Sequence, residues 1–279
     1  MIDFATELAR EAGSLLRARF GTGFDVRQKG AINLVTEVDL ASEQLIRNAI
    51  ASRYPLHQML GEEGGLGESA RPEGAESSTS SDVIEYVPDG SAEYKWIVDP
   101  LDGTTNYAHG YPCFCVSIAL ERRGRVELGV VYDPMRDELF RAKRGLGATL
   151  NGQTIRVSST LHLMQSLLST GFPYDIKTSN LTNLDHWANF AMNAQALRRD
   201  GAAALDLCYV ASGRYDGFWE LSLSAWDTAA GALIVEEAGG RLSNFEGGEF
   251  SPYVPEVVAS NGLIHQRMLE VLAMGKRGV

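Results

Sequence analysis

With 279 residues and 44% hydrophobic content, the chain can bury a large core, as one big domain or two tightly joined halves. Its formal charge of -11 opposes nucleic acid or an anionic membrane as a main partner, because binding either needs a cationic surface. No apolar stretch approaches the roughly 20 residues of a membrane span, and the first seven residues lack the basic and apolar regions of a signal peptide, so a cytoplasmic protein is expected.

Phe4, Leu8, Ala12, Leu15, Leu16 and Ala18 recur close to helical spacing, and Gly21 and Gly23 end the helix they predict. Residues 25–30 read as a short strand and turn carrying Lys29 toward whatever Asp39 faces. Ala41, Leu45, Ile46, Ala49 and Ile50 form one stripe of a second helix over about 37–53, with Asp39 in its first turn. A brief strand at 57–61 ends at Glu62. Residues 63–94 are rich in Gly, Ser, Glu and Pro, and a loop of this length is either a lid or a solvated insertion.

Residues 95–98 form a strand that delivers Asp99. Strand-like runs follow at 114–121, 126–132 and 138–142, and Asn151-Gly152 signals a hairpin, so this middle region reads as an antiparallel meander. A boundary near residue 150 would separate an amino-terminal α+β half (1–150) from a carboxy-terminal α/β half (151–279) within one compact unit. In the second half a strand is predicted at 166–170, helices at 184–196 and 204–211, a strand at 215–220 and a helix at 227–238. Short strands at 241–242 and 257–259 precede a closing helix at 263–274. Cys113, Cys115 and Cys208 include no C-x-x-C pair and read as buried reduced thiols.

Five acidic residues carry the chemistry: Asp39, Glu62, Asp99, Asp102 and Asp227. Alone, each has a plain explanation as a helix cap, a turn residue or a solvated loop start. Gathered by folding, they form an oxygen-only donor set that suits magnesium, manganese or calcium rather than zinc or copper. Like charges a few ångströms apart raise one another's pKa, so such a cluster calls for cations, and two or three divalent ions would leave it attractive to a phosphate ester. Gly103-Thr104-Thr105 follows at a helix start, where amide N–H groups can bind phosphate oxygens and a threonine hydroxyl can orient water.

Trp96-Ile97-Val98-Asp99-Pro100-Leu101-Asp102-Gly103-Thr104-Thr105-Asn106, with Gly61-Glu62-Glu63 before it and Ala225-Trp226-Asp227-Thr228-Ala229-Ala230-Gly231 after it, closely resembles the inositol monophosphatase family of magnesium-dependent, lithium-inhibited phosphatases. The segments 34–39 and 201–207 are similar to the family as well. The resemblance implies a layered αβαβα sandwich of the inositol monophosphatase and fructose bisphosphatase type, usually a homodimer. It implies that Glu62, Asp99 and the Leu101 carbonyl bind one Mg2+ and that Asp99, Asp102 and Asp227 bind a second. Glu62 reaches a weaker third ion through water, and Mn2+ is a substitute for Mg2+. Asp39 and Thr104 would orient the attacking water, and the Gly103 and Thr104 amides would hold the phosphate.

For substrate, the resemblance implies that Gly201, Ala203 and Glu220 line the pocket for a small phosphorylated metabolite, although Glu220 also reads as a solvated strand end. Arg198, Arg199 and Asp200 either tune that pocket or lie in a dimer interface. Lys29 stands in a hairpin that approaches the metals in similar enzymes, and it equally reads as a solvated loop residue. The implied activity is hydrolysis of inositol 1-phosphate or a related polyol or sugar phosphate. Fructose-1,6-bisphosphatase or histidinol-phosphatase activity is the alternative on the same scaffold, and a regulatory interaction protein retaining the fold is the alternative of another class. The segment between Glu62 and Asp99 is about twice the length expected of compact members.

Overall fold

The computed structural model describes residues 1–22, 26–28, 34–68 and 93–275, so most of the predicted 63–94 loop lies outside the described residues. In chain order the elements are α1 (Ile2–Arg19), β1 (Val26–Gln28), β2 (Leu34–Thr36), α2 (Glu37–Arg53), β3 (Gln58–Gly61), β4 (Gly65–Glu68), β5 (Tyr94–Asp102) and α3 (Thr104–Ala108). The meander follows as β6 (Cys115–Arg122), β7 (Arg125–Asp133), β8 (Glu138–Lys143), β9 (Ala148–Leu150) and β10 (Gln153–Thr154). The remainder comprises β11 (Leu167–Thr170), α4 (Leu184–Ala191), β12 (Ala196–Arg198), α5 (Ala203–Ala211), β13 (Gly217–Leu221), α6 (Ala225–Glu237), β14 (Arg241–Ser243), β15 (Glu256–Ser260) and α7 (His265–Leu272).

Two large sheets and three helical layers alternate, and β1 and β2 form a separate antiparallel pair. The first sheet has the order β10-β9-β8-β7-β6-β5-β3-β4, antiparallel except where β3 runs parallel to β5. The second has the order β12-β11-β13-β15-β14. Helices α1 and α2 pack on the outer face of the first sheet, α5 and α6 lie between the sheets, and α4 and α7 cover the second sheet's outer face. The alternation of side chains along a strand explains this layering: Trp96 and Val98 of β5 join the core under α1 and α2, whereas Ile97 joins the core with α5 and α6. Every residue of α5 is buried, as expected of a helix flanked by sheets on both sides.

The predicted helix over 184–196 is divided. It stops at Ala191, and residues 196–198 instead pair in parallel with β11. The Asn193 side chain donates to the Asn189 carbonyl at 2.8 Å, and the Gln195 N–H donates to the Ser166 carbonyl at 3.1 Å, which draws the chain out of the helix and toward the sheet. Within the predicted 63–94 loop, residues 65–68 form a strand paired antiparallel to β3. The strand expected at 95–98 continues to Asp102. All three cysteines are buried and free, and burial pushes the Cys113 thiol up to about 12.

Candidate metal and substrate site

Asp99 and Asp102 stand three positions apart on β5, which on a regular strand would send them to opposite faces. The register slips between them: Asp99 pairs with Ser117 and Asp102 with Cys115, so one extra residue is accommodated on β5. Ser117 and Cys115 share a face of β6, and the two aspartates therefore do too. That face looks toward α6, since the Ser117 hydroxyl lies 3.3 Å from the Trp226 carbonyl, next to Asp227.

Asp39 and Asp227 arrive by the same local device. Each is the third residue of a helix whose cap is Thr36 or Ser224, and each closes a capping box. Asp227 Oδ2 accepts the Ser224 N–H at 2.6 Å, and Asp39 Oδ2 accepts the Thr36 N–H at 2.8 Å. This leaves Asp39 Oδ1 to accept from the Thr104 hydroxyl at 2.9 Å. The same hydroxyl lies 3.0 Å from the Leu101 carbonyl. Gly103 sits at φ 96°, and a Cβ there would fall 2.8 Å from the Cys113 carbonyl, so only glycine fits the turn that presents Thr104.

Glu62 leaves the end of β3 beside β5, and its turn is held by Glu43. The buried Glu43 carboxylate accepts the Glu63 and Gly64 N–H groups at 2.8 and 2.9 Å and pairs with Arg47 at 2.8 Å. Sequence reasoning missed Glu43. The available signal was that Asp39, Glu43, Ile46 and Ile50 follow one another at helical spacing, so the acids extend the buried stripe.

Burial and mutual repulsion dominate the electrostatics. Desolvation, then the charges of Glu62, Asp102 and Asp227, hold the Asp99 carboxyl well above its ordinary range. Burial raises Asp102 and Asp227 to about 7 each, with added repulsion from Glu62 and Asp102 respectively. Burial also raises Asp39, against the hydrogen bonds from Thr36 and Thr104. Among the described residues no group of three or more His, Cys, Asp or Glu side chains stands ready to clasp an ion, so the carboxylates share a space rather than a common point. Hard oxygen donors that repel one another and lack a cationic side chain among their principal influences fit divalent ions, which would draw them together.

Asp102 and Asp227 open onto a cleft also lined by Gly201, Ala203 and Glu220. Burial raises the Glu220 carboxyl to about 8, opposed by the nearby Arg199. Arg199 lines the cleft, while Asp200 accepts the Tyr215 hydroxyl. The Asn106 side chain donates to the Cys113 and Asp200 carbonyls at 2.8 and 2.7 Å and so ties α3 to the cleft wall. Phe172 and Tyr174, unremarked in the sequence, complete that wall; burial and then Asp102 push the Tyr174 hydroxyl upward. Lys29 lies outside the described residues. A roomier cavity of about 540 Å³, lined in part by His186, Arg241, Phe245 and Leu269, holds none of the five acids, so chemistry rather than volume marks the site.

Comparison with known proteins finds relatives along nearly the whole chain. The chain is 44% identical over 278 residues to the Nus factor SuhB of Pseudomonas aeruginosa, covering 98% of this chain and 95% of that protein. It is 42% identical over 275 residues to the inositol-1-monophosphatase of Synechocystis, covering 98% and 88%. The solved inositol monophosphatase of Anabaena superposes with a TM-score of 0.82 at 39% identity, covering 97% of this chain and 94% of that one. Among the described residues no helix is long and apolar enough to cross a membrane. A match to the inositol monophosphatase family runs over residues 1–275, and the chain belongs to that family of phosphatases.

Proposed function

We propose that the protein is a magnesium-dependent phosphomonoesterase acting on inositol 1-phosphate or a related polyol or sugar phosphate. The observation that carries this is the hydrogen-bonded Asp39–Thr104 pair at the end of the strand that supplies Asp99 and Asp102, together with the cleft onto which Asp102, Asp227 and Glu220 open. Glu62, Asp99 and the Leu101 carbonyl would hold one Mg2+, and Asp99, Asp102 and Asp227 a second. When bound, such ions supply Lewis-acid charge that offsets both the carboxylates and the charge developing on the phosphoryl oxygens and leaving oxygen.

The chain's own groups do the rest. The Thr104 hydroxyl donates to Asp39, so its oxygen lone pairs are turned to accept a hydrogen bond from the attacking water. Asp39 is then positioned to take the proton relayed through Thr104. The Gly103 and Thr104 amides would hold phosphate oxygens, and Glu220 would meet substrate hydroxyls.

Phosphate release from inositol 1-phosphate, fructose 1,6-bisphosphate and histidinol phosphate, with magnesium and with or without lithium, tests the substrate class. Glu220→Gln is expected to raise KM for inositol 1-phosphate about 10-fold more than KM for an aryl phosphate, the scale of a lost charged hydrogen bond. Equal effects on both substrates would remove Glu220 from this role.

Acidity offers a second check. In chelator-treated protein, burial holds the protons of Asp102, Asp227 and Glu220 to about 7, 7 and 8, whereas the unfolded chain releases them near the ordinary carboxyl values of 3.8, 3.8 and 4.5. The folded state binds more protons across this window, so thermal stability should fall as pH rises from about 5 to 9. Saturating magnesium should flatten that slope, and an unchanged slope would count against ion binding by these acids.

The similarity to proteins named Nus factor SuhB favours a second reading, a regulatory role carried by the same fold and compatible with catalysis. We also propose a homodimer.

A further inference from the structure

Residues 172–174, which follow β11, and the end of β13 line the cleft, and a single buried side chain ties the two strand ends together. Asn183, only 3% exposed, stands immediately before α4 in the left-handed region at φ 63°. A left-handed backbone at a non-glycine residue is uncommon, and asparagine tolerates it best. Its amide nitrogen donates to Thr170 Oγ1 at 2.9 Å and to the Gly171 carbonyl at 2.6 Å. Its amide oxygen accepts from Trp219 Nε1 at 3.0 Å, with His186 Nδ1 at 3.3 Å. The Thr170 hydroxyl in turn donates to the Trp219 carbonyl at 2.6 Å, which closes the ring of contacts.

Only a carboxamide supplies two donors and an acceptor here; a carboxylate would lose both donors and place a buried charge against the Gly171 carbonyl. What the amide holds is the floor beneath Glu220. Trp219 precedes Glu220 on β13, and a Cβ at Gly171 would lie 1.9 Å from Glu220 Oε1, so the carboxyl rests directly on the bare Gly171 backbone. Phe172 and Tyr174 of the cleft wall continue from the same glycine.

On the assignment of Glu220 to the substrate's hydroxyls made above, we infer that Asn183 is a positioning residue that sets substrate selectivity by fixing Glu220 and Gly171 at one spacing. Asn183 does not line the cleft, and its side chain bonds Thr170, Gly171, His186 and Trp219 rather than the acids around Asp99, so its influence passes through the two strand ends. It therefore affects how tightly a polyol phosphate is held, and leaves the water-activating pair alone.

Two variants of Asn183 test this. Asn183→Gly keeps the left-handed backbone free of strain and deletes the amide, whereas Asn183→Asp keeps the shape and deletes the donors. Both are expected to raise KM for inositol 1-phosphate about 10-fold while kcat on an aryl phosphate stays within about twofold, the size of effect expected from lost buried hydrogen bonds. Should the Asn183 variants fail to fold, Thr170→Val breaks the same ring from the other side with little change of shape, and the same split is expected. Adding Asn183→Gly to Glu220→Gln should produce no further rise, because the first acts through the second. Additive effects, or equal losses on both substrates, would overturn the inference. Glu220→Gln alone separates the two possible failures. No discrimination there overturns the role of Glu220 and this inference with it, whereas discrimination by Glu220→Gln and none by the Asn183 or Thr170 variants overturns the inference alone.

Discussion

Asp102→Asn and Asp227→Asn should each lower kcat/KM for phosphate release by roughly 1000-fold or more, the scale of removing a charged metal ligand from a phosphoryl-transfer site. The fold should survive both changes. Asp102 Oδ2 accepts the Ala204 N–H at 2.8 Å and Asp227 Oδ2 accepts the Ser224 N–H at 2.6 Å, and the carbonyl oxygen of asparagine can accept either bond. Because both carboxyls are raised to about 7 by burial and by neighbouring acids, a neutral amide relieves repulsion in metal-free protein. Thermal unfolding in chelator should therefore show the variants at least as stable as the parent near pH 8, while magnesium no longer stabilises them to the same extent. Near-normal turnover in either variant would refute the assignment of these residues. The same inactive Asp102→Asn protein tests the regulatory reading: rescue of a deletion phenotype by it would show that turnover is not the function under selection.

Asp39→Asn is expected to lower kcat by about 100-fold to 10,000-fold, the range of a lost general base. The side-chain oxygen of asparagine can keep the bond from the Thr36 N–H at 2.8 Å, so the capping box loses little. The position that received the Thr104 hydroxyl is then taken by the amide NH2, a donor that can neither accept that hydrogen bond nor take the relayed proton. The diagnostic is magnesium affinity measured by calorimetry on the resting protein. An unchanged affinity with a collapsed kcat marks Asp39 as the partner of Thr104, whereas an affinity that falls in step with kcat would make it a ligand.

Much of this site could be read from residue order alone, because Asp99, Asp102 and Asp227 each lie in short runs where strand, turn and helix start coincide. A helix cap was the plain reading of Asp39, and the structure shows that the cap leaves one of its oxygens for a second partner. One oxygen closes the capping box and the other receives Thr104. Glu43 escaped notice because its partners lie in the Glu63-Gly64 turn, and no local pattern announces a contact across that distance. The same holds for Asn183, whose position next to a helix reads as an ordinary cap while its amide serves two strand ends. The predicted helix ran on to residue 196 because Ala191, Ala194 and Ala196 favour it. Pairing with β11 outweighed that preference, as tertiary contacts commonly do.

Helix α6 lies between the two sheets and brings in Asp227, whereas Asp99 and Asp102 belong to β5 in the middle of the first sheet. Contacts between segments so distant in sequence form late, after the entropy of closing long loops has been overcome. A nascent chain that has emerged only as far as β10 already has Asp39, Asp99 and Thr104 but lacks Asp227 and Glu220. It can neither complete the set of acids nor form the cleft that Asp227 and Glu220 line. Competence thus appears at the end of folding, when the last layers dock, and an amino-terminal fragment should be inert however well its own sheet forms.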